Sequence, residues 1–184
     1  VFGENIKLFY VSAREEIENK LLNLRYSKKE IKKNIEEIIS IFNLNEYIDL
    51  PSYIISKSKK ALIKIAYYLS NYPKVLILDD AFMYMDELDK NIAIKGIKKI
   101  MKKYKLTVIN ITSEIEKYMD KDNIIIVEDS KIKYNDKYEN LYVNCNYLSN
   151  KLPFMIEICD KLKYYNLTEN YIESEKELID NLWK

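Results

Sequence analysis

The stretch KVLILDDAFMYMD, residues 74–86, decides how the rest of the chain is read. Four apolar residues, Val75 to Leu78, run into two adjacent carboxylates, Asp79 and Asp80, and helical spacing resumes soon after Asp86. A short apolar run without polar alternation is the pattern of a strand buried on both faces, as when helices cover both sides of a parallel sheet. Ligands bind beyond the carboxyl ends of strands in such sheets, where Asp79 and Asp80 fall. Mg²⁺ takes hard oxygen ligands, often one or two carboxylates completed by substrate phosphates, so Asp79 is a candidate metal contact. Asp also ends strands because it favours turns and solvent. The neighbouring segments therefore have to decide between the two.

Upstream, SKKALIKIAYYLSNYP (58–73) places Ala61, Leu62, Ile65, Ala66 and Leu69 on one helical stripe that ends before Pro73 and leads into the strand. Further back, SKKEIKKNIEEIISIFN (27–43) starts with Ser27 and Glu30 as a capping box and puts Ile31, Ile35, Ile38, Ile39 and Phe42 on one face. REEIENKLLNLRY (14–26) carries Ile17, Leu21 and Leu24 at helical spacing, and the two segments are expected to form an antiparallel pair before Leu50-Pro51-Ser52 breaks the pattern. Downstream, a helix is expected from about 86 to 105 with Leu88, Ile92, Ile97, Ile100, Met101 and Tyr104 inward and Gly96 as a weak point. The β-branched runs LTVINIT (106–112) and NIIIVED (123–129) then read as strands with a helix between them, a βαβ series. The second run turns back at Asp129-Ser130 into a hairpin of strands 124–128 and 131–134. The tail holds two further helical patterns, within 148–165 and 174–183.

Composition narrows the function classes. A chain of 184 residues supports one domain with a core and a small attachment. Thirty basic and 29 acidic residues give a net charge of +1, so no global field attracts nucleic acid or an anionic membrane. Histidine is absent, and Cys145 and Cys159 stand in no metal or redox pattern, which removes most zinc sites and every mechanism built on a histidine base. A cytosolic setting is expected, without membrane insertion, because no apolar run reaches 18 residues. Only Gly3 and Gly96 occur, so a GxxxxGK[ST] phosphate loop has no place among these residues. The tyrosines Tyr10, Tyr53, Tyr67, Tyr68, Tyr72 and Tyr84 read as core or surface replacements for Phe and Leu in a Tyr-rich chain.

Taken together, the segments resemble the ABC (ATP-binding cassette) transporter ATPases, most closely those of energy-coupling-factor and cobalt-type importers. VLILDD resembles the Walker B strand. ISKSKKALIKIAYYLSNYPKVLILDD (55–80) falls without a gap in the register of the signature, the helix after it, the proline and Walker B. Met85-Asp86 matches the D-loop, TVINITSE the strand and switch region, and IIIVEDSKIKYN the closing hairpin. The resemblance covers roughly residues 1–140. It implies an α/β, P-loop NTPase-like parallel sheet flanked by helices, with a helical subdomain at about 12–60 and a core at 61–146. Residues 147–184 would be a helical extension, and the first part of the cassette, with its Walker A loop, is not in this chain. A core that begins inside a strand is expected to leave one sheet face partly uncovered.

The resemblance implies ATP and Mg²⁺ as cofactors, Asp79 as the metal contact, Asp80 and Ser113 at the catalytic positions, and Ser56, Lys57, Ser58 and Asp86 facing nucleotide. It implies as partners a second ABC ATPase subunit and a transmembrane permease, reached through residues 12–50, with the protein peripheral on the inner face of the cell membrane. Departures accompany the matches: Gly3 stands for the Q-loop glutamine, Asp80 for the catalytic glutamate, Ser113 for the switch histidine, and Lys57 and Ser58 for the signature glycines. Asp80 is one methylene short, a displacement of about 1 Å that can cost on the order of 100-fold in rate. Ser113 carries no positive charge, and a lost transition-state contact costs about 3 kcal/mol. Weak or absent hydrolysis is expected. Lys57, Lys59 and Lys60 crowd a helix start, where each is disfavoured by roughly 0.3–1 kcal/mol unless an anion is near, and in this lysine-rich chain they read as solvated. The alternatives are a cassette-shaped scaffold that pairs with an active ATPase without binding nucleotide, and a DNA-repair or chromosome-structure ATPase head, which would need a long coiled coil.

Overall fold

The computed structural model describes residues 11–113, 123–137, 140, 154–168, 172 and 175–182. Gly3, Tyr10, Cys145, the helix expected between the last two strand runs and the expected boundary at 146/147 lie outside these residues. The chain divides into two compact units, Val1–Ser113 and Glu114–Lys184.

The first unit is built on helices. α1 (Ala13–Asn23) starts at Ser12, whose hydroxyl accepts from the Glu15 amide, and buries Ala13, Glu16, Ile17 and Leu21. Leu24 was expected inward but is the C-cap and 49% exposed, because the chain leaves the helix there. α2 (Lys28–Phe42) has the capping box in full: Ser27 accepts from the Glu30 amide while the Glu30 carboxylate accepts from the Ser27 amide and hydroxyl. Its buried face is the expected one, Ile31, Ile35, Ile38, Ile39 and Phe42, with Asn34 added. The short connection between α1 and α2 makes them an antiparallel packed pair. Arg14 closes the end of this pair, donating to both oxygens of Asp49 at 2.6 and 2.9 Å.

α3 (Lys57–Leu69) buries Ala61, Leu62, Ile63, Ile65, Ala66 and Leu69 and leads to β1 (Val75–Asp79). Its carboxyl end is capped from α1. Lys20 Nζ donates to the Tyr67 carbonyl at 2.6 Å and to Asn71 Oδ1 at 2.7 Å, and lies 4.6 Å from the centre of the Tyr67 ring. A cation is well placed against the last carbonyls of a helix. Burial nevertheless lowers the Lys20 amine to about 8.

α4 (Glu87–Tyr104) buries Asp89, Ala93, Gly96, Ile97 and Ile100. The expected stripe is rotated at its start, for Leu88 is 70% exposed and Asp89 faces inward instead. Gly96 is where α4 meets α2: a Cβ there would stand 2.5 Å from Phe42 Cε1, so glycine serves as a notch for that ring. Glu37 of α2 accepts from Lys103 at 2.7 Å and from the Tyr104 hydroxyl at 3.0 and 3.1 Å. Tyr104 stacks on Tyr72 with ring centres 3.9 Å apart. That contact holds Tyr72 in a left-handed conformation, φ 48°, which a bulky residue rarely adopts.

β1 pairs in parallel with β2 (Thr107–Ile111), from Val75 opposite Thr107 to Asp79 opposite Ile111. The βα unit expected around VLIL is therefore present. The expectation that these strands are covered on both faces is not met. Leu76 and Leu78 are buried, whereas Val75, Ile77, Ile109 and Ile111 on the opposite face are 47 to 52% exposed. Among the described residues the helices cover one side of the pair, and the other side is half-exposed.

In the second unit, β3 (Asn123–Glu128) pairs antiparallel with β4 (Lys131–Lys137), with a bulge at Ile126/Val127. The turn residues Asp129 and Ser130 both have positive φ, 50° and 61°, the geometry of a tight type I′ hairpin. The hairpin was expected, but the IIIV run also had to extend the parallel series. Among the described residues β3 pairs only with β4. α5 (Phe154–Tyr164) and α6 (Glu175–Leu182) complete the unit. Cys159 is buried with its thiol 3.8 Å from the Ile172 carbonyl.

Candidate functional site

The residues singled out from sequence fall into two groups. The first lies at the carboxyl ends of β1 and β2. Asp79 is the last residue of β1, and Asp80 turns the chain away with φ 46°, a left-handed conformation that Asp adopts more readily than most residues. The Asp80 amide donates to the Ile111 carbonyl at 2.9 Å, which ties this turn to the end of β2. Ser113, exposed, lies two residues beyond Ile111. The fold thus brings Asp79, Asp80 and Ser113 to one edge of the parallel pair, with both carboxylates half-buried.

The second group joins the start of α3 to the start of α4. Ser56 is the N-cap of α3, its hydroxyl accepting from the Lys59 amide at 3.2 Å, and both Ser56 and Lys57 are exposed. Ser58 turns inward. Its hydroxyl donates to Asp89 Oδ2 at 2.6 Å and accepts from the Asp86 amide at 3.1 Å. Asp86 caps α4 by accepting from the Asp89 amide at 2.8 Å, and that hydrogen bond holds its carboxyl below the usual range. Lys59 pairs with Asp89 Oδ1 and lies 4.6 Å from the centre of the Tyr47 ring. Its side chain is 14% exposed and that of Asp89 only 2%.

The expectation that Lys59 is solvated is thereby corrected: it is a partly buried cation paired with a buried carboxylate. Sequence reading passed over Asp89 because it sits among residues assigned to an apolar stripe. The available signal was Asp86-x-x-Asp89 at a helix start, where an acidic third residue often turns back toward the cap. Gly3, expected in the Q-loop position, lies outside the described residues.

On the helical part, an open groove between α1 and α2 is lined by Arg14, Glu18, Lys28, Ile31, Lys32 and Glu36. Among the described residues no helix is long and apolar enough to cross a membrane.

Comparison with solved structures places this architecture among known folds. The chain superposes on CbiO1 from Clostridium perfringens, described as part of the ABC transporter complex CbiONQ, with a TM-score of 0.66 at 20% identity, over 87% of this chain and 66% of that one. It superposes on the dimeric ATP-binding cassette MJ0796, bound to ADP and Pi, with a TM-score of 0.61 at 21% identity, over 74% and 61% of the two chains. The fold is that of an ABC ATPase cassette. No family model matches the chain. Its curated homologues are ATP-binding proteins of energy-coupling-factor transporters. EcfA1 of Streptococcus pneumoniae is 28% identical over 168 residues, 89% of this chain and 61% of that protein. EcfA1 of Caldanaerobacter subterraneus is 31% identical over 110 residues, 60% and 40%. This cassette chain thus spans about three-fifths of the length of the first of these relatives.

Proposed function

We propose that the chain is part of an ATP-binding subunit of an energy-coupling-factor-type membrane transporter, degenerate at its catalytic positions and with weak or absent hydrolysis. The observation that carries this reading is the acidic pair Asp79-Asp80 at the carboxyl end of a parallel strand whose preceding helix begins at a capped Ser56. Asp79 would contact Mg²⁺. The donor set fits that ion, which accepts one or two carboxylates and completes its shell with phosphate and water. When bound, Mg²⁺ would supply charge neutralisation at the phosphates.

Asp80 would stand where a water-orienting carboxylate is needed, a methylene short of the glutamate it replaces, and its backbone N–H, donating to the Ile111 carbonyl, holds it at the strand end. Ser113 could donate a hydrogen bond there but no charge. Ser56 and Lys57, exposed at the start of α3, would face a phosphate held by a second ATPase subunit, with Ser58 and Asp86 bonded together behind them and the helix start supplying amides and a positive dipole end. The α1–α2 groove, with charges of both signs on an apolar floor, suits a permease segment on the inner face of the membrane. Nucleic acid is not a partner on this reading.

The test is titration of the full-length protein, alone and with its partner subunit, with a fluorescent ATP analogue and Mg²⁺. Saturable binding that weakens in Asp79→Asn supports the reading. Absence of saturable binding with the partner present overturns it and leaves the cassette-shaped scaffold, the second reading, which the replaced signature glycines favour.

A further inference from the structure

Where α3 ends, a cation is held by neutral partners. Lys20 Nζ reaches over from α1 and donates to the Tyr67 carbonyl at 2.6 Å, the Tyr68 carbonyl at 3.3 Å, the Ser70 hydroxyl at 3.5 Å and Asn71 Oδ1 at 2.7 Å. Asn34 of α2 donates to the Ser70 carbonyl at 3.0 Å, and the Tyr26 hydroxyl to the Asn71 carbonyl at 3.4 Å. Side chains from α1, α2 and their connection thus clasp the carboxyl end of α3, and only Lys20 among them is charged. Lys59, Lys103 and Lys161 each meet a carboxylate, whereas among the described residues no carboxylate is bonded to Lys20.

A second cation stands beside it. Lys64 Nζ lies 5.6 and 5.7 Å from the centres of the Tyr67 and Tyr68 rings, which Lys20 Nζ approaches to 4.6 and 5.7 Å. An amine drawn out of water next to another cation is in the setting that turns lysine into a nucleophile. Burial brings Lys20 down to about 8, so near pH 7 about a tenth of it is free amine, against less than about a thousandth of an ordinary lysine. Lys20 is only partly buried and Tyr68 is exposed, which leaves the amine within reach of a small molecule.

We propose that Lys20 is a modification site, acylated at Nζ by small acyl phosphates, with Lys64 placed to meet the phosphate and the clasp on α3 released as the amide forms. The Nζ lone pair attacks the acyl carbon and a C–N bond forms. The bond from that carbon to the bridging oxygen breaks, and inorganic phosphate leaves with the electron pair and takes up the proton lost from nitrogen. The product has one N–H where the ammonium had three, and no charge. It can bond one of the four acceptors that Lys20 now holds. This goes beyond the proposed function and stands without it.

The test treats the full-length protein with acetyl phosphate near pH 7 and follows single lysines by peptide mass spectrometry, with exposed Lys29 and Lys33 as internal references. Lys20 should be acetylated about tenfold faster than either, since its larger share of free amine outweighs the weaker nucleophilicity of a less basic nitrogen. A rate at or below the references overturns the proposal. Asn71→Asp puts a carboxylate where Asn71 Oδ1 now accepts from Lys20, and should bring Lys20 down to the reference rate. An unchanged rate overturns it. Lys64→Gln should lower the rate with acetyl phosphate about threefold relative to the uncharged donor p-nitrophenyl acetate. An unchanged ratio overturns the choice of acyl phosphate.

Should Asn71→Asp fail to fold, the wild-type protein answers through its pH profile. The Lys20 rate should level off above about pH 8 while that of Lys29 goes on rising to about pH 10. Parallel profiles overturn the proposal. In the acetylated protein the Tyr72 amide, which donates to the Leu69 carbonyl at this helix end, should exchange with deuterium faster than before, and unchanged exchange overturns release of the clasp.

Discussion

The two acidic groups of this cassette differ in what their carboxylates are used for. At the strand end, Asp79 and Asp80 are half-buried beside exposed Ser113, and the Asp80 backbone donates to the Ile111 carbonyl and accepts from the Met83 amide. At the start of α3 and α4, Asp86 and Asp89 are already committed, one to a helix cap and the other to a partly buried lysine and a serine. Carboxylates of the same kind, separated by a few residues, thus end a strand in one place and brace two helix starts in the other. What separates them is the burial of Asp89, because a charge out of water must be paired, here with Lys59.

That difference should be largest in stability. Asp89→Ala leaves Lys59 buried without its partner and is expected to lower unfolding free energy by about 3–5 kcal/mol. Asp79→Ala should change it by about 1 kcal/mol or less. Urea unfolding midpoints of the two variants check this, and equal losses would break the comparison.

The opposite end of α3 sharpens it, since Lys20 caps that end through carbonyls and Asn71 rather than a carboxylate. Carbon-13 NMR of the lysine Cε signals should show Lys20 titrating near 8, below the ordinary 10.5. The folded state therefore binds the Lys20 proton less tightly than the unfolded chain does. This group's cost to stability is fully present below pH 8 and is relieved as pH rises toward 10.5. A Lys20 signal that titrates with the other lysines would show that its burial has no electrostatic consequence.

Smaller effects test the frame that holds both groups. Gly96→Ala pushes a methyl group against Phe42; overpacking of about 1–3 kcal/mol, less about 1 kcal/mol of helix propensity, leaves a modest net loss in thermal melts. Lys105 ends α4 in a left-handed conformation, φ 54°, that glycine adopts freely. Lys105→Gly is expected to stabilise by up to about 1 kcal/mol in the same melts.

Much of the fold was legible because local signals agreed with one another. The Ser27–Glu30 box and the isoleucine stripe of α2 are local chemistry, as is the Asp129-Ser130 turn. Leu88 and Leu24 were misplaced because periodicity ignores how a cap turns a helix: once Asp86 caps α4, the third residue is drawn inward and Leu88 is left outside. The run VLIL gave the strand but not the cover on its faces, since an apolar residue records what a position tolerates rather than what lies against it. At the site, the strand-end acids followed from motif and register alone. The Lys59–Asp89 pair joins residues thirty apart, and nothing in either segment by itself announces it.

The face of the β1–β2 pair that the described helices leave half-exposed bears on how the protein behaves in a tube. Val75, Ile77, Ile109 and Ile111 form an apolar strip on extended backbone, and residues 1–184 carry a net charge of only +1 to hold copies apart. Such a strip is a template for self-association. Residues 1–184 purified alone should scatter light increasingly with concentration, and Ile77→Lys with Ile109→Glu, opposite charges facing across the strands, should keep them in solution without disturbing the buried side.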